Sequence, residues 1–308
     1  MPEMCVPSAD LAAARLSPNL EWYEGKLSPQ DYARLGVFIQ STTGIQISLD
    51  KQLMVESRLR KRLHALELSG FHEYCERVLG ADGDEAERIH LIDAVTTNKT
   101  DFFREPSHFT YLTREALPLL LRERDGKAAR PLTLWSAASS SGEEPYTLAM
   151  VLSEFAERQQ RFPWQILGTD ISTRVLATAQ RAVYTEEAAA AIPPALKCKY
   201  LLRSRDHTEG LVRIVPSLRQ KVDFKRLNLL DPHYDIPRPI DIIFCRNVFI
   251  YFSRATQEQI LGRFVEHLRP GGLVFLGHSE TMNGHSASLE HVAPTIYRKV
   301  CKIDEGRS

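Results

Sequence analysis

The chain has 308 residues, 43% of them hydrophobic, with 39 Lys plus Arg against 39 Asp plus Glu. That apolar content supports one large or two medium cores and excludes a disordered polypeptide, and the neutral balance provides no overall field for nucleic acid or an anionic membrane. Five scattered cysteines with no Cys-x-x-Cys pair point to reduced thiols in a cytoplasmic protein without structural zinc, and an acidic start with no long apolar run points away from a signal peptide or membrane span.

Residues 1–26 mix Pro, Ala and charge without a period and read as a flexible arm. SPQDYARLGVFIQSTTG then predicts a helix capped by Ser28, opened by Pro29, striped by Leu35, Phe38 and Ile39 and ended by Gly44. A second helix is expected between Ser48 and Gly70, its apolar stripe running through Leu53, Leu59, Leu63 and Leu66, followed by helices in FHEYCERVL and DEAERIHLIDAV and another starting near Pro106. No strand pattern occurs before residue 130. From LTLWSAA onward, WQILGTD, KVDFKRLN, IDIIFCRN and GLVFLGHS are short apolar runs, each followed by polar or helical sequence. This alternation predicts an α/β fold with a doubly wound, mostly parallel sheet. EGLVRIV, inside an interval of about 197–221 in which no helix is expected, reads as a small β insertion, and TIYRKVCKI as an added edge strand. The expected organisation is an arm over 1–26, a small all-helical domain with linker over 27–115, and the sheet domain over 116–308.

Ligands of an open parallel sheet sit at the carboxyl ends of its strands. The first such end, AASSSGEEPY, has three serines, the single Gly142, and Glu143 and Glu144. A pyrophosphate loop needs several glycines and a helix N-terminus free of acids, so Gly-x-Gly-x-x-Gly dinucleotide chemistry is disfavoured. The two carboxylates suit a cation or an amino group, although as first-turn acids they also complement the helix dipole. Asp170, at the next strand end, is placed to accept from ribose hydroxyls. A nucleoside bearing a positive charge and an amino group, without phosphates, describes S-adenosylmethionine.

TTNKTDFFRE, WSAASSSGEEPY, GTDIS, LNLLD, FCRNVFIYF and GLVFLGHSE, in this order, resemble the chemotaxis receptor methyltransferases, the CheR family, from about Leu27 to Lys299. The resemblance implies an N-terminal helical domain joined to a Rossmann-like S-adenosylmethionine-dependent methyltransferase sheet with a β insertion. It also implies transfer of methyl groups to glutamates of receptor cytoplasmic domains, leaving S-adenosylhomocysteine and glutamate methyl esters. Carried over by motif, Asn98, Thr100 and Arg104 match the cofactor-contacting linker, Glu144 the acid near the methionine moiety, and Asp170 the ribose acid. Asn228 and Leu229 match the adenine-side segment, and Cys245, Arg246 and Asn247 the strand end beneath the cofactor. Glu143 remains an alternative to Glu144.

An ionised glutamate acceptor requires no general base, so positioning and desolvation should dominate. Arg104 is the candidate to hold the acceptor, Tyr251 to orient it, and Phe102 and Phe103 to wall the site from water. The receptor partner is a glutamate-rich helical bundle, and the run Arg58, Arg60, Lys61 and Arg62 offers a basic face to dock it, although such a run is also an ordinary solvated face. Some members bind a C-terminal receptor tether at the β insertion. Here RSRD lacks the glycine of their loop, which counts against a tether. A cytoplasmic monomer without metal, nucleic acid or membrane insertion is expected. A non-catalytic nucleotide-binding sensor remains the competing class.

Overall fold

The computed structural model describes residues 25–123, 130–159, 162–206, 210–280 and 288–300. Most of the expected arm, and Cys5 and Cys301, lie outside these.

Helix α1 (Pro29–Thr43) forms where local chemistry requires it: the Ser28 hydroxyl accepts from the Asp31 N–H at 3.0 Å, and Gly44 closes the helix at φ 74°. A 3₁₀ turn at Leu49–Lys51 leads into α2 (Gln52–Ala65), followed by α3 (Phe71–Leu79) and α4 (Glu85–Val95). Their shared core is Leu35, Ile39, Val55, Leu59, Leu63, Tyr74, Val78 and Leu91. Each such aliphatic side chain contributes about 1.5–3 kcal/mol when fully buried. Leu53, expected on the buried stripe of α2, is instead 77% exposed. Packing against α4 turns inward the face that carries Val55 and Leu59.

A continuous helix then runs through α5 (Pro106–Tyr111), a π-turn at Leu112–Ala116 and α6 (Leu117–Arg122). Pro118 lacks an N–H and crowds the carbonyl four residues back, and just before it the Leu117 N–H reaches Leu112, one residue further than in an α-helix. Periodicity divides the chain at 115/116, but Phe109, Leu112, Leu117 and Leu120 pack in the same core as β1 (Leu132–Ala137). The helical core thus ends at α4.

The sheet domain continues with α7 (Glu143–Arg158), β2 (Trp164–Asp170) and α8 (Thr173–Arg181). Strands β3 (Val183–Thr185), β4 (Leu201–Arg203) and β5 (Leu211–Ile214) form the separate three-stranded antiparallel insertion, in the order β3-β5-β4. The insertion therefore begins before 197, and it carries helices that its turn-rich sequence hides: α9 (Pro194–Tyr200) and α10 (Pro216–Arg219). The large sheet resumes with β6 (Val222–Arg226), β7 (Ile240–Cys245), α11 (Arg254–His267), β8 (Leu268–Leu276), β9 (Leu289–Ala293) and β10 (Ile296–Lys299). Its order is β6-β2-β1-β7-β8-β10-β9, parallel except at β10, which runs antiparallel to both neighbours. TIYRKVCKI thus supplies an interior strand, because β9 folds back to cover its outer edge. Strand order departs in opposite directions from β1, toward β2 on one side and β7 on the other, which opens a crevice at their carboxyl ends.

Candidate active site

A cleft of about 1120 Å³ of atom-free space, open mouth included, lies at that crevice, roofed by the helical domain. Its wall includes Thr43, Ile45, Gln46, Ile47, Lys51 and Met54 from the helical side, and Ala138, Ser140, Glu144, Asp170, Ile171 and Leu227 from the strand ends. Among the expected residues, Asn98, Thr100, Arg104, Glu144, Asp170, Asn228, Leu229, Arg246, Asn247 and Tyr251 all line it. Cys245 does not. It is wholly buried beneath the floor among Trp135, Ile243 and Val274, where burial pushes its thiol well up. Phe102 and Phe103 also lie outside the lining. Phe102 packs edge-on to Tyr184 at 5.0 Å, and Phe103 to Phe109 at 5.8 Å, so they support the linker from beneath rather than wall the site.

The loops around the cleft hold unusual backbone. Phe103, Glu105, Ala138, Ser140 and Asn247 all adopt left-handed φ between 49° and 60°. Such conformations cost about 1–3 kcal/mol each where they are strained, and they persist where surrounding bonds over-determine them. Gly142 sits at φ 98°, and a Cβ there would lie 2.9 Å from both Ala179 Cβ and Tyr184 Oη. The one glycine of the joint is therefore required for packing α7 against α8 and β3. The cleft-facing function of the joint falls to its polar side chains.

Asp170 is 5% exposed, and its carboxylate accepts from the Ser140 and Ser172 N–H groups, both at 2.9 Å. Burial raises its pKa against the lowering effect of these bonds. Each oxygen retains capacity for a further donor. Glu144 faces the cleft while Glu143 turns away to accept from Ser141 at 2.7 Å. Burial raises the Glu143 pKa, with Asp101 adding to it. Glu144 accepts from Ser136 Oγ at 2.7 Å and from Arg246 Nε at 2.6 Å.

Arg246 is a buried junction that sequence motifs did not distinguish from a ligand. Its Nη1 donates to the Arg104 carbonyl at 2.7 Å and lies 3.3 Å from His108 Nδ1, and its guanidinium stacks 5.3 Å from the Phe109 ring. It thereby balances Glu144 and fixes the linker that carries Arg104. Glu105, unmarked in the sequence reading, accepts from Asn247 Nδ2 and the His278 N–H, both at 3.2 Å. Burial would raise its pKa, but these bonds and Arg246 bring it below the usual value. Glu280, also unmarked, accepts from the Asn247 and Gly277 N–H groups at 2.8 and 2.7 Å. Glu105, His108 and His278 cluster closely enough to suggest a cation site, yet the fixed charge of Arg246 beside His108 opposes one.

Arg104 lines the cleft with its guanidinium donating to the Lys99 carbonyl at 3.2 Å; among the described residues it has no ion pair, and the Tyr251 hydroxyl has no hydrogen bond. Asn228 uses its Nδ2 on the Thr42 carbonyl at 2.6 Å, bridging the domains. The basic helix is engaged within the molecule. Arg58 donates to the carbonyls of Ala94, Val95 and Thr96, Arg60 pairs with Glu56 at 2.5 Å, and Arg62 grips Glu87 with two bonds. Lys61 alone of the four is exposed.

The family description "CheR methyltransferase, all-alpha domain" matches residues 30–96, and "CheR methyltransferase, SAM binding domain" matches residues 98–298. Similar proteins include the "Chemotaxis protein methyltransferase" of Borreliella burgdorferi, 37% identical over 89% of this chain and 95% of that protein. The "Chemotaxis protein methyltransferase 2" of Pseudomonas aeruginosa is 40% identical over 91% of this chain and 97% of its own length. The Escherichia coli "Chemotaxis protein methyltransferase" is 40% identical over 88% of this chain and 91% of its own length.

Proposed function

The chain belongs to the CheR methyltransferase family, and from that premise we propose that it methylates glutamate side chains of chemoreceptor cytoplasmic domains. The observation that carries this reading is the convergence in one cleft of Asp170 and Glu144 with Arg104, which has no ion pair among the described residues, and with Tyr251, whose hydroxyl has no hydrogen bond among them.

The cleft suits S-adenosylmethionine. Asp170 offers both oxygens to a pair of ribose hydroxyls, and Glu144, already balanced by Arg246, offers remaining lone pairs to an ammonium group. Two acids in the first turn of α7 repel a phosphate from the helix N-terminus, which suits a ligand without one. When bound, the cofactor supplies a methyl group carried on a sulfonium. A glutamate acceptor, with an ordinary pKa of about 4.3, arrives ionised and needs no proton removed. Arg104 holds the acceptor carboxylate through its planar fork, and the Tyr251 phenol orients it. Walls from both domains exclude water from the acceptor. Positioning of this kind supplies up to about 7–11 kcal/mol of a barrier.

Titration calorimetry with S-adenosylhomocysteine should give one site per chain, and Asp170→Ala should weaken it about tenfold or more through loss of charged-acceptor hydrogen bonds. Arg104→Ala should lower methyl-ester formation on receptor, measured as base-labile methyl, far more than it lowers this affinity. Absence of binding, or an Asp170→Ala protein with parent affinity, would remove the nucleotide assignment. Equal losses in Arg104→Ala would move Arg104 onto the cofactor.

A further inference from the structure

Glu280, just past the end of β8, is a buried acid outside the lining of the cleft, 5% exposed and without an ion pair among the described residues. A buried carboxylate is costly unless hydrogen bonds replace its water. Backbone groups supply them here. Oε2 accepts from the Asn247 and Gly277 N–H groups at 2.8 and 2.7 Å, and Oε1 from the Ile250 N–H at 3.3 Å. Burial raises its pKa against the lowering pull of these bonds. Each oxygen is thereby committed to the turn that follows β7, whose Asn247, Val248, Tyr251 and Phe252 line the cleft. The approach is close: a Cβ on Gly277 would fall 2.6 Å from Asn247 Nδ2 and 2.8 Å from Glu280 Oε2.

Tyr251 depends on this turn because little else fixes its ring. Among the described residues its hydroxyl has no hydrogen bond and its ring pairs with no other aromatic ring, while the Lys51 ammonium stands 5.9 Å from the ring centroid. Its place is set through the main chain. The Tyr251 N–H donates to the Val248 carbonyl at 3.1 Å, and its own carbonyl accepts from the Gln46 N–H at 3.3 Å. Val248 lies between the two N–H groups of the turn that Glu280 holds, so the carboxylate fixes the segment that fixes the tyrosine.

We propose that Glu280 is a positioning residue for methyl transfer: it holds the turn 247–251 so that the Tyr251 phenol meets the acceptor carboxylate, and it acts through that tyrosine rather than by contact with the acceptor. This deepens the receptor-glutamate reading above and rests on the role given there to Tyr251. A carboxylate suits the task where a carboxamide does not. Its two oxygens accept from donors on both sides, whereas glutamine offers one oxygen and turns an NH2 toward a backbone N–H. Misplacing an aligned group by about 1 Å slows a transfer on the order of a hundredfold, so a loosened turn is felt in kcat. The nucleoside groups are held independently: Asp170 ends β2 and Glu144 opens α7, and neither is bonded to Glu280.

The test uses the full chain, S-adenosylmethionine and chemoreceptor-bearing membranes of the source organism. Glu280→Gln should lower kcat on the order of tenfold, with KM for receptor and S-adenosylhomocysteine affinity each within about threefold of the parent. Glu280→Asp keeps both oxygens and should recover part of the loss. Gly277→Ala crowds the carboxylate from its other side and should lower kcat in the same pattern, which keeps the comparison available if Glu280→Gln does not fold. Tyr251→Phe should lower kcat too, and adding Glu280→Gln to it should cost little more, because the two residues act in series. Parent kcat in both Glu280→Gln and Gly277→Ala overturns the proposal. So do losses that multiply in the double variant, or an S-adenosylhomocysteine affinity that falls as far as kcat, since Glu280 would then serve the fold or the nucleoside instead. Tyr251→Phe at parent kcat, or a parent protein that binds S-adenosylhomocysteine yet leaves these membranes unmethylated, overturns the receptor reading and this proposal with it. Those results are distinguishable from multiplying losses, which overturn the proposal alone.

Discussion

Arg62 shows how a charge that looks like surface can belong to the core. Its Nε and Nη2 donate to the two Glu87 oxygens at 2.9 and 2.6 Å, Tyr74 adds a third bond at 2.9 Å, and Glu87 is 2% exposed. Removing the guanidinium leaves a buried carboxylate uncompensated, so Arg62→Ala should cost about 3 kcal/mol, while exposed Lys61→Ala should stay within about 0.5. Thermal denaturation of both variants checks this, and an Arg62→Ala midpoint equal to the parent's would return that residue to the solvated face. His108 makes a second residue-scale case. Burial, reinforced by Arg246, holds its imidazole at about 4, below the usual 6.5. The unfolded chain therefore takes up a proton at this residue below about pH 6.5 while the folded chain stays neutral until about pH 4. Stability is fully present above that window and is lost as pH falls through it, by on the order of 3 kcal/mol. His108→Gln should remove this contribution, so its unfolding free energy should fall less than the parent's between about pH 7 and pH 4.5. Parallel curves for the two proteins would show that His108 titrates normally.

At the scale of elements, the joint between β1 and α7 carries the clearest requirement. Gly142→Ala would force a left-handed alanine and place a methyl 2.9 Å from Ala179 Cβ and Tyr184 Oη. The expected cost is roughly 2–4 kcal/mol, with weaker S-adenosylhomocysteine binding because Glu144 moves with the helix it opens. An unfolding temperature and affinity equal to the parent's would mean α7 can shift freely. Sequence alone revealed what local chemistry decides. Ser28 and Gly44 bound α1, and the runs LTLWSAA, WQILGTD, KVDFKRLN and IDIIFCRN form strands whose ends reach the cleft, while the strand from GLVFLGHS lies outside its lining. What it hid depends on partners. Nothing in α2 says which stripe will meet α4, so its periodicity puts Leu53 on the buried side, where the structure leaves it exposed. Strands of three residues such as β3 and β4 have too little alternation to stand out beside helical sequence. Arg246 meets Glu144 and His108, and Glu105 meets Asn247, over separations above 100 residues, and the motifs that hold Arg246 and Glu105 mark the address of the junction without its wiring.

For the whole molecule, the cleft exists only while two separate cores stay together. Asn228 holds the Thr42 carbonyl, Gln46 holds that of Tyr251, Thr173 donates to Asp93 at 2.8 Å, and Ser140 donates to the Asn98 carbonyl at 2.8 Å. These hydrogen bonds are joined by Ile45, which packs against both cores, and a contact between domains that rests partly on polar ties permits relative motion. A ligand lying between the walls binds only the closed arrangement and so stabilises it. S-adenosylhomocysteine at about 100 times its Kd adds ~2.7 kcal/mol to whatever unit must open for its release. If that unit includes both domains, the ligand should slow hydrogen exchange at the Gly44 and Gln46 amides of the helical side as well as at the Ser140 and Ser172 amides of the strand ends. Asn228→Ala cuts one tie without touching either core, and should speed exchange at Gly44 in the free protein more than in the complex. Exchange at the helical-side amides that is equal with and without ligand would show that the sheet domain binds the nucleoside alone, and the contribution of the helical domain would then be confined to the receptor side of the cleft.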